Sequence, residues 1–173
     1  AIDASFAELR RVERLMTRFN ATSDVGRANV APRRAATAVS AETAHVVAEA
    51  LRWAAMTGGA YDPAIGGAVA LWDVTRRHEP PARESTMQLA DRELYRAVEV
   101  GRSRGQSVLV RHDAEARIDL GGIAKGYGVD RAANALRDAG ITNAVVDVGG
   151  DLVAIGSGPD GEGWHVGIQS PFD

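Results

Sequence analysis

Residues 118–127, Ile-Asp-Leu-Gly-Gly-Ile-Ala-Lys-Gly-Tyr, constrain this chain more than any other stretch. The apolar residues around Asp119 read as the end of a strand and Gly121-Gly122 as a tight turn. Residues 123–139 then read as a helix closed by Gly140. Free backbone N–H groups at such a helix start suit an anion. Lys125 lies within the first turn and is the only lysine, every other cationic side chain being arginine. Arginine is a rigid fork and lysine a compact point charge, so this position suits one small ammonium placed against a phosphate or a carbonyl. The same residues also fit a plain strand–turn–helix connection with an exposed lysine and a capping Asp119. They do not form a Walker A loop, because the Gly-Lys pair followed by Ser or Thr is absent.

The rest of the chain alternates helical and strand-like patterns. Phe6, Leu9, Val12, Met16 and Phe19 recur at spacings of three and four, which predicts a helix over residues 6–19. Residues 20–34 are polar and rich in breakers and read as a loop. Ser40 is placed as the N-cap of a helix over residues 41–56 that Gly58-Gly59 ends. Residues 60–72 are punctuated by Gly and Pro, residues 76–83 read as a surface loop, and residues 84–94 as a short helix. Strands are expected at residues 97–100, 107–111, 117–120, 143–148, 151–156 and 164–169, with turns at residues 102–105 and 112–116. Trp53, Trp72 and Trp164 are expected in the core. The pattern predicts an α+β fold of short antiparallel strands with packed helices.

Composition narrows the function. The 173 residues carry a formal charge of −3, which argues against a nucleic-acid partner. There is no cysteine, so disulfides and thiolate metal sites are excluded. No apolar run reaches the roughly 20 residues of a membrane helix. The chain opens on Ala1 rather than Met, which suggests a processed or trimmed product.

Two further motifs stand out. In Gly58-Gly59-Ala60-Tyr61-Asp62-Pro63, Tyr61 could stack on a planar ring and Asp62 could accept hydrogen bonds from a heterocycle or ribose. The other reading is a helix C-cap followed by an Asp-Pro turn. In Val148-Gly149-Gly150-Asp151, the paired glycines suit either close backbone approach or a β-bulge. His45, His78, His112 and His165 show no metal-ligand spacing.

In this order the motifs resemble the ApbE family of flavin transferases. The likeness begins at Leu15-Met16-Thr17-Arg18-Phe19 and at Ser23-Asp24-Val25-Gly26-Arg27-Ala28-Asn29, similar to a family Ser-Glu-x-x-Arg-x-Asn segment. It runs on through the Tyr61 motif, Leu71-Trp72, residues 119–127 with Asp130, the Gly149-Gly150 motif and Trp164-His165-Val166-Gly167-Ile168. The resemblance implies a T-fold-like architecture of which residues 1–173 are the N-terminal and central part, incomplete at the C-terminus. It implies Mg²⁺-dependent transfer of FMN from FAD to a threonine hydroxyl of an acceptor protein, with release of AMP. Phe19 would stack on or near the flavin. Ala60, Tyr61, Asp62, Asp119 and Lys125 would contact FAD, and the Gly122 carbonyl would be one metal ligand. Family members begin with a Met-Gly-Thr-like segment and continue into a His-x-x-Asp-Pro-like segment and an Asp-x-x-Asp-[Ser/Thr] segment. None of these is in this sequence, so the catalytic group is expected beyond Asp173. Asp147 stands where the family commonly has Asn. The family also implies a periplasmic or exported location, with possible membrane association through a removed N-terminal anchor. A flavin-binding accessory module without transferase activity is the alternative, and an α+β domain with no ligand is a third.

Overall fold

Ser23 accepts a hydrogen bond from the Gly26 N–H at 2.8 Å and so caps a seven-residue helix where the sequence suggested only loop. The computed structural model describes residues 1–90, 92–168 and 170. In chain order its elements are α1 Ile2–Met16, α2 Asp24–Val30, β1 Thr37–Val39, α3 Ala41–Met56, α4 Gly66–Trp72 and α5 Arg83–Met87. A 3₁₀ turn Leu94–Ala97 follows, then β2 Val98–Ser103, β3 Gln106–Arg111, α6 Ala124–Asp138, β4 Ala144–Val148 and β5 Asp151–Ile155. The architecture is α+β with short antiparallel strands, as the patterning requires. The chain divides into two compact units, residues 12–124 and residues 1–11 with 125–173.

In the larger unit, β1, β3 and β2 form an antiparallel sheet in that order, with Thr37 opposite Leu109 and Val100 opposite Leu109 on its other side. Arg104 and Gly105 both take positive φ, which fits a two-residue hairpin turn matched to the strand twist. Ser40 caps α3 through the Thr43 N–H at 3.0 Å, and Thr43, Val47, Ala50 and Ala54 form its buried stripe. Val25, Val46, Leu109, Ile118 and Leu120 are fully buried. Each such side chain contributes roughly 2 kcal/mol through area removed from water.

In the other unit, Val129, Ala132, Ala133 and Leu136 of α6 form a core with Val146 and Ile155, and Leu9 of α1 packs against it. β4 and β5 pair antiparallel, Val148 opposite Asp151. Between them Gly149 and Gly150 hold φ of 58° and 91°. The pair is therefore a hairpin turn and not a β-bulge, and both positions demand a left-handed backbone that glycine adopts at least cost.

Several expectations need correction. Helix α1 ends at Met16, and the Thr17 hydroxyl accepts the Phe19 N–H at 3.3 Å, so Phe19 lies outside the helix and is 83% exposed. Residues 117–120 form no named strand: Arg117 makes one isolated parallel bridge with Ile65, and Ile118 is held by a side chain. Residues 164–168 have no regular structure, and residue 169 lies outside the described residues. Trp53 and Trp72 are about half exposed rather than core, while the Trp164 indole N–H donates to the Ile155 carbonyl at 2.9 Å.

Candidate active site

Helix α2 builds the site by joining three segments. The Ser23 hydroxyl donates to the Thr17 carbonyl, fixing the turn that presents Arg18 and Phe19. Asp24 is buried and accepts the Ser40 N–H and the Thr43 hydroxyl, each at 2.8 Å, and it pairs with Arg27 at 2.6 Å. Burial pushes the Asp24 carboxyl up, but the hydrogen bonds from Ser40, Thr43 and Arg27 outweigh it and hold the group below its ordinary range. Arg27 also donates to the Ala38 carbonyl at 2.9 Å. Asn29 completes the joint: its amide nitrogen donates to the Ile118 carbonyl at 2.8 Å and its oxygen accepts the Ile118 N–H at 2.7 Å. The Ser23-Asp24-x-x-Arg27-x-Asn29 motif is thus a scaffold that sets the residue before Asp119.

Asp62 does the same work from the other side. Its carboxylate is buried, one oxygen accepting the Ala64 N–H at 2.7 Å and the other the Tyr95 N–H at 3.1 Å. The Asp119 N–H donates to the Pro63 carbonyl at 2.8 Å, so residues 62–63 and 119 are locked together. Of the predicted Ala60-Tyr61-Asp62 contacts, the Asp62 side chain is committed to the fold, and Ala60 is exposed at the mouth of the turn.

Asp119 itself is pinned twice. One carboxylate oxygen accepts the Gly121 N–H at 3.0 Å, and the other pairs with Arg18 Nε at 2.9 Å. The Arg18 guanidinium also lies 4.2 Å from the Phe19 ring centroid. Phe19 and Asp119, widely separated in sequence, are therefore tied to one side chain. Gly122 packs against Tyr61, and a Cβ there would come within 2.9 Å of the ring.

Trp53, Thr57, Tyr61, Gly122 and Ile123 line a cavity of about 240 Å³. The Tyr61 hydroxyl is the one buried side-chain polar atom without a partner among the described residues. Burial, and then the nearby Asp119 and Asp62 carboxylates, push the phenol above its ordinary value, so it stays a neutral donor. A cavity walled by Trp53 and Tyr61 suits a planar heterocycle, and a buried hydroxyl without a partner beside it is an unmet donor. Trp53 is the lining residue the sequence did not reveal. The signal was present in the helix register: Thr43, Val47, Ala50 and Ala54 trace the buried stripe, and Trp53 lies off it.

In the smaller unit, Lys125 Nζ donates to the Gly149 carbonyl at 3.0 Å and pairs with Asp151 at 3.2 Å. The Gly150 N–H donates to Asp147 at 2.9 Å, closing the same turn. Lys125 is thus aimed by the β4–β5 hairpin, and Asp151 and the Gly149 carbonyl are partners that sequence order alone did not assign.

This fold and the order of these motifs are those of one protein family. The model of the ApbE family matches residues 1–173, and the chain belongs to that family. It is 32% identical over 163 residues to a Vibrio cholerae protein named FAD:protein FMN transferase, covering 94% of this chain and 48% of that one. A Haemophilus influenzae protein of the same name is 32% identical over 136 residues, covering 77% and 39%. Among solved structures, the flavin transferase ApbE from Vibrio cholerae superposes with a TM-score of 0.83 at 29% identity, covering 99% of this chain and 56% of that one. The Thermotoga maritima ApbE protein gives 0.78 at 28% identity, covering 89% and 50%. The chain spans about half the length of the curated relatives it matches or less.

Proposed function

We propose that the protein carrying this chain transfers FMN from FAD to a threonine hydroxyl of an acceptor protein and releases AMP, with residues 1–173 as the N-terminal and central part of one transferase domain. The observation that carries this reading is the cavity lined by Trp53, Tyr61 and Gly122, with the Tyr61 hydroxyl buried without a partner and Gly122 three residues from the pinned Asp119. Phe19, Ala60, Tyr61, Asp62, Asp119 and Lys125 are the proposed FAD contacts. Asp62 contributes chiefly by fixing the backbone.

In the proposed reaction the threonine oxygen attacks the phosphorus on the FMN side of the pyrophosphate. A P–O bond forms to threonine, the P–O–P bridge breaks, and AMP leaves with the electron pair. The groups of this chain bind and orient FAD; the group that accepts the threonine proton belongs to the rest of the protein. For a divalent metal the fit is incomplete: the described residues hold no cluster of three or more His, Asp or Glu side chains suited to an ion. The Gly122 carbonyl offers one hard oxygen donor, consistent with Mg²⁺, whose other donors would come from outside these residues. That same observation favours a second reading for these residues by themselves, a flavin-binding module without transfer. A periplasmic or exported location is part of the proposal. Among the described residues no helix is long and apolar enough to cross a membrane.

Incubating the full-length protein with FAD, Mg²⁺ and a threonine-bearing acceptor, with an EDTA arm, distinguishes these readings. Mass gain of one FMN on the acceptor, lost with EDTA, supports the transferase. Flavin binding without mass gain supports the module, and the absence of flavin binding defeats both.

A further inference from the structure

We propose that Arg18 is a positioning residue for the flavin substrate, coupling the Asp119 carboxylate to the Phe19 ring. The inference rests on the flavin reading above and extends it to a residue outside the proposed FAD contacts. Arg18 Nε pairs with Asp119 at 2.9 Å while its guanidinium covers Phe19 at 4.2 Å, and both charged side chains are about four-fifths buried, at 23% and 20% exposure. A half-screened pair of this kind is stronger than one in open water. Phe19 is otherwise an aromatic left 83% in solvent, an arrangement that core packing does not explain. With a cation against one face, the other face of the ring is free for a second planar system.

The remaining capacity of Asp119 fits the same role. Its two oxygens accept one bond each, from Gly121 N–H and from Arg18, and an ionised carboxylate has lone pairs left over for a ligand. Arg18 Nε and the Gly121 N–H together fix the carboxylate rotamer, one on each oxygen, and the planar guanidinium can lie on the Phe19 ring at the same time, which a lysine ammonium does less well. The Ser23–Thr17 bond holds Arg18 from behind, and the Asn29 clamp on Ile118 holds Asp119. Arg18 and Phe19 also line a cavity of about 240 Å³ with Asn29 and Ile118, so these two side chains face open space rather than core.

The test is FAD titration of the full-length protein by flavin fluorescence, with Arg18→Met, Arg18→Lys, Asp119→Asn and the Arg18→Met/Asp119→Asn double variant. Arg18→Met is expected to weaken FAD binding roughly tenfold and to change the quenching of bound flavin. Arg18→Lys should fall between it and wild type. In the Asp119→Asn background the Arg18→Met loss should largely vanish, because the pair acts as a unit. Thermal unfolding midpoints of all variants should stay close to wild type; if Arg18→Met fails to fold, Arg18→Lys against Asp119→Asn gives the same reading. Unchanged affinity, additive losses, or tighter binding in Arg18→Met would each overturn the inference while leaving the flavin reading intact. A wild-type protein that binds no FAD would overturn both.

Discussion

At the scale of single residues, the site is marked by groups whose arrangement folding alone does not require. The Tyr61 hydroxyl is buried without a partner, and leaving a donor so costs about 1–3 kcal/mol. Tyr61→Phe should therefore leave the free protein as stable or about 1 kcal/mol more stable, while weakening FAD binding; calorimetry with and without FAD reads both. A clear loss of stability would mean that the hydroxyl has a partner in the folded state. Lys125 behaves differently. Its partners, the Gly149 carbonyl and Asp151, are at an exposed position, and exposed pairs add at most about 1 kcal/mol. Lys125→Ala should lower FAD affinity with little change in unfolding midpoint. Unfolding of that variant at unchanged flavin affinity would assign Lys125 to the scaffold.

At the scale of elements, α2 is the joint on which the site depends. Asn29→Ala removes two hydrogen bonds to Ile118, a buried residue. It should cost about 2–3 kcal/mol in urea unfolding and reduce FAD affinity through Asp119. Affinity unchanged at that stability loss would separate the clamp from the site. The Asp24 carboxyl, held low in the folded state, adds stability above its unfolded value of 3.8. That contribution is lost as pH falls through the lower folded value. Asp24→Asn should lose roughly 2 kcal/mol at neutral pH and show a flatter stability profile as pH falls below the unfolded value of 3.8. An unchanged acid profile would place the charge elsewhere.

Elements also show what the sequence could and could not reveal. Ser40, Gly58 and Gly140 bound α3 and α6 where their side chains or φ angles require it, so those helices were legible to within a residue or so. Helix α2 was not, because seven residues containing Gly26 and Asn29 carry too short a period, and its stability comes from side-chain bonds to β1, α3 and Ile118. Residues 117–120 have strand-like composition, yet Asn29 rather than a strand holds Ile118, a tertiary fact with no local trace. Phe19 fits the apolar spacing of α1, but the Thr17 hydroxyl diverts the chain first.

For the whole molecule, motif order identified the family, while the partnerships that make the site emerged only from the structure. The Arg18–Asp119 pair spans 101 positions, and no periodicity encodes it. Of the proposed FAD contacts, Tyr61 and Asp119 belong to the larger compact unit and Lys125 to the other. The account's central claim is that these groups serve FMN transfer rather than flavin storage. Mass spectrometry of a threonine-bearing acceptor, incubated with the full-length protein, FAD and Mg²⁺, tests it most directly. The account predicts an acceptor heavier by one FMN, with AMP released in equal amount; an unmodified acceptor beside a protein that holds FAD intact would contradict it.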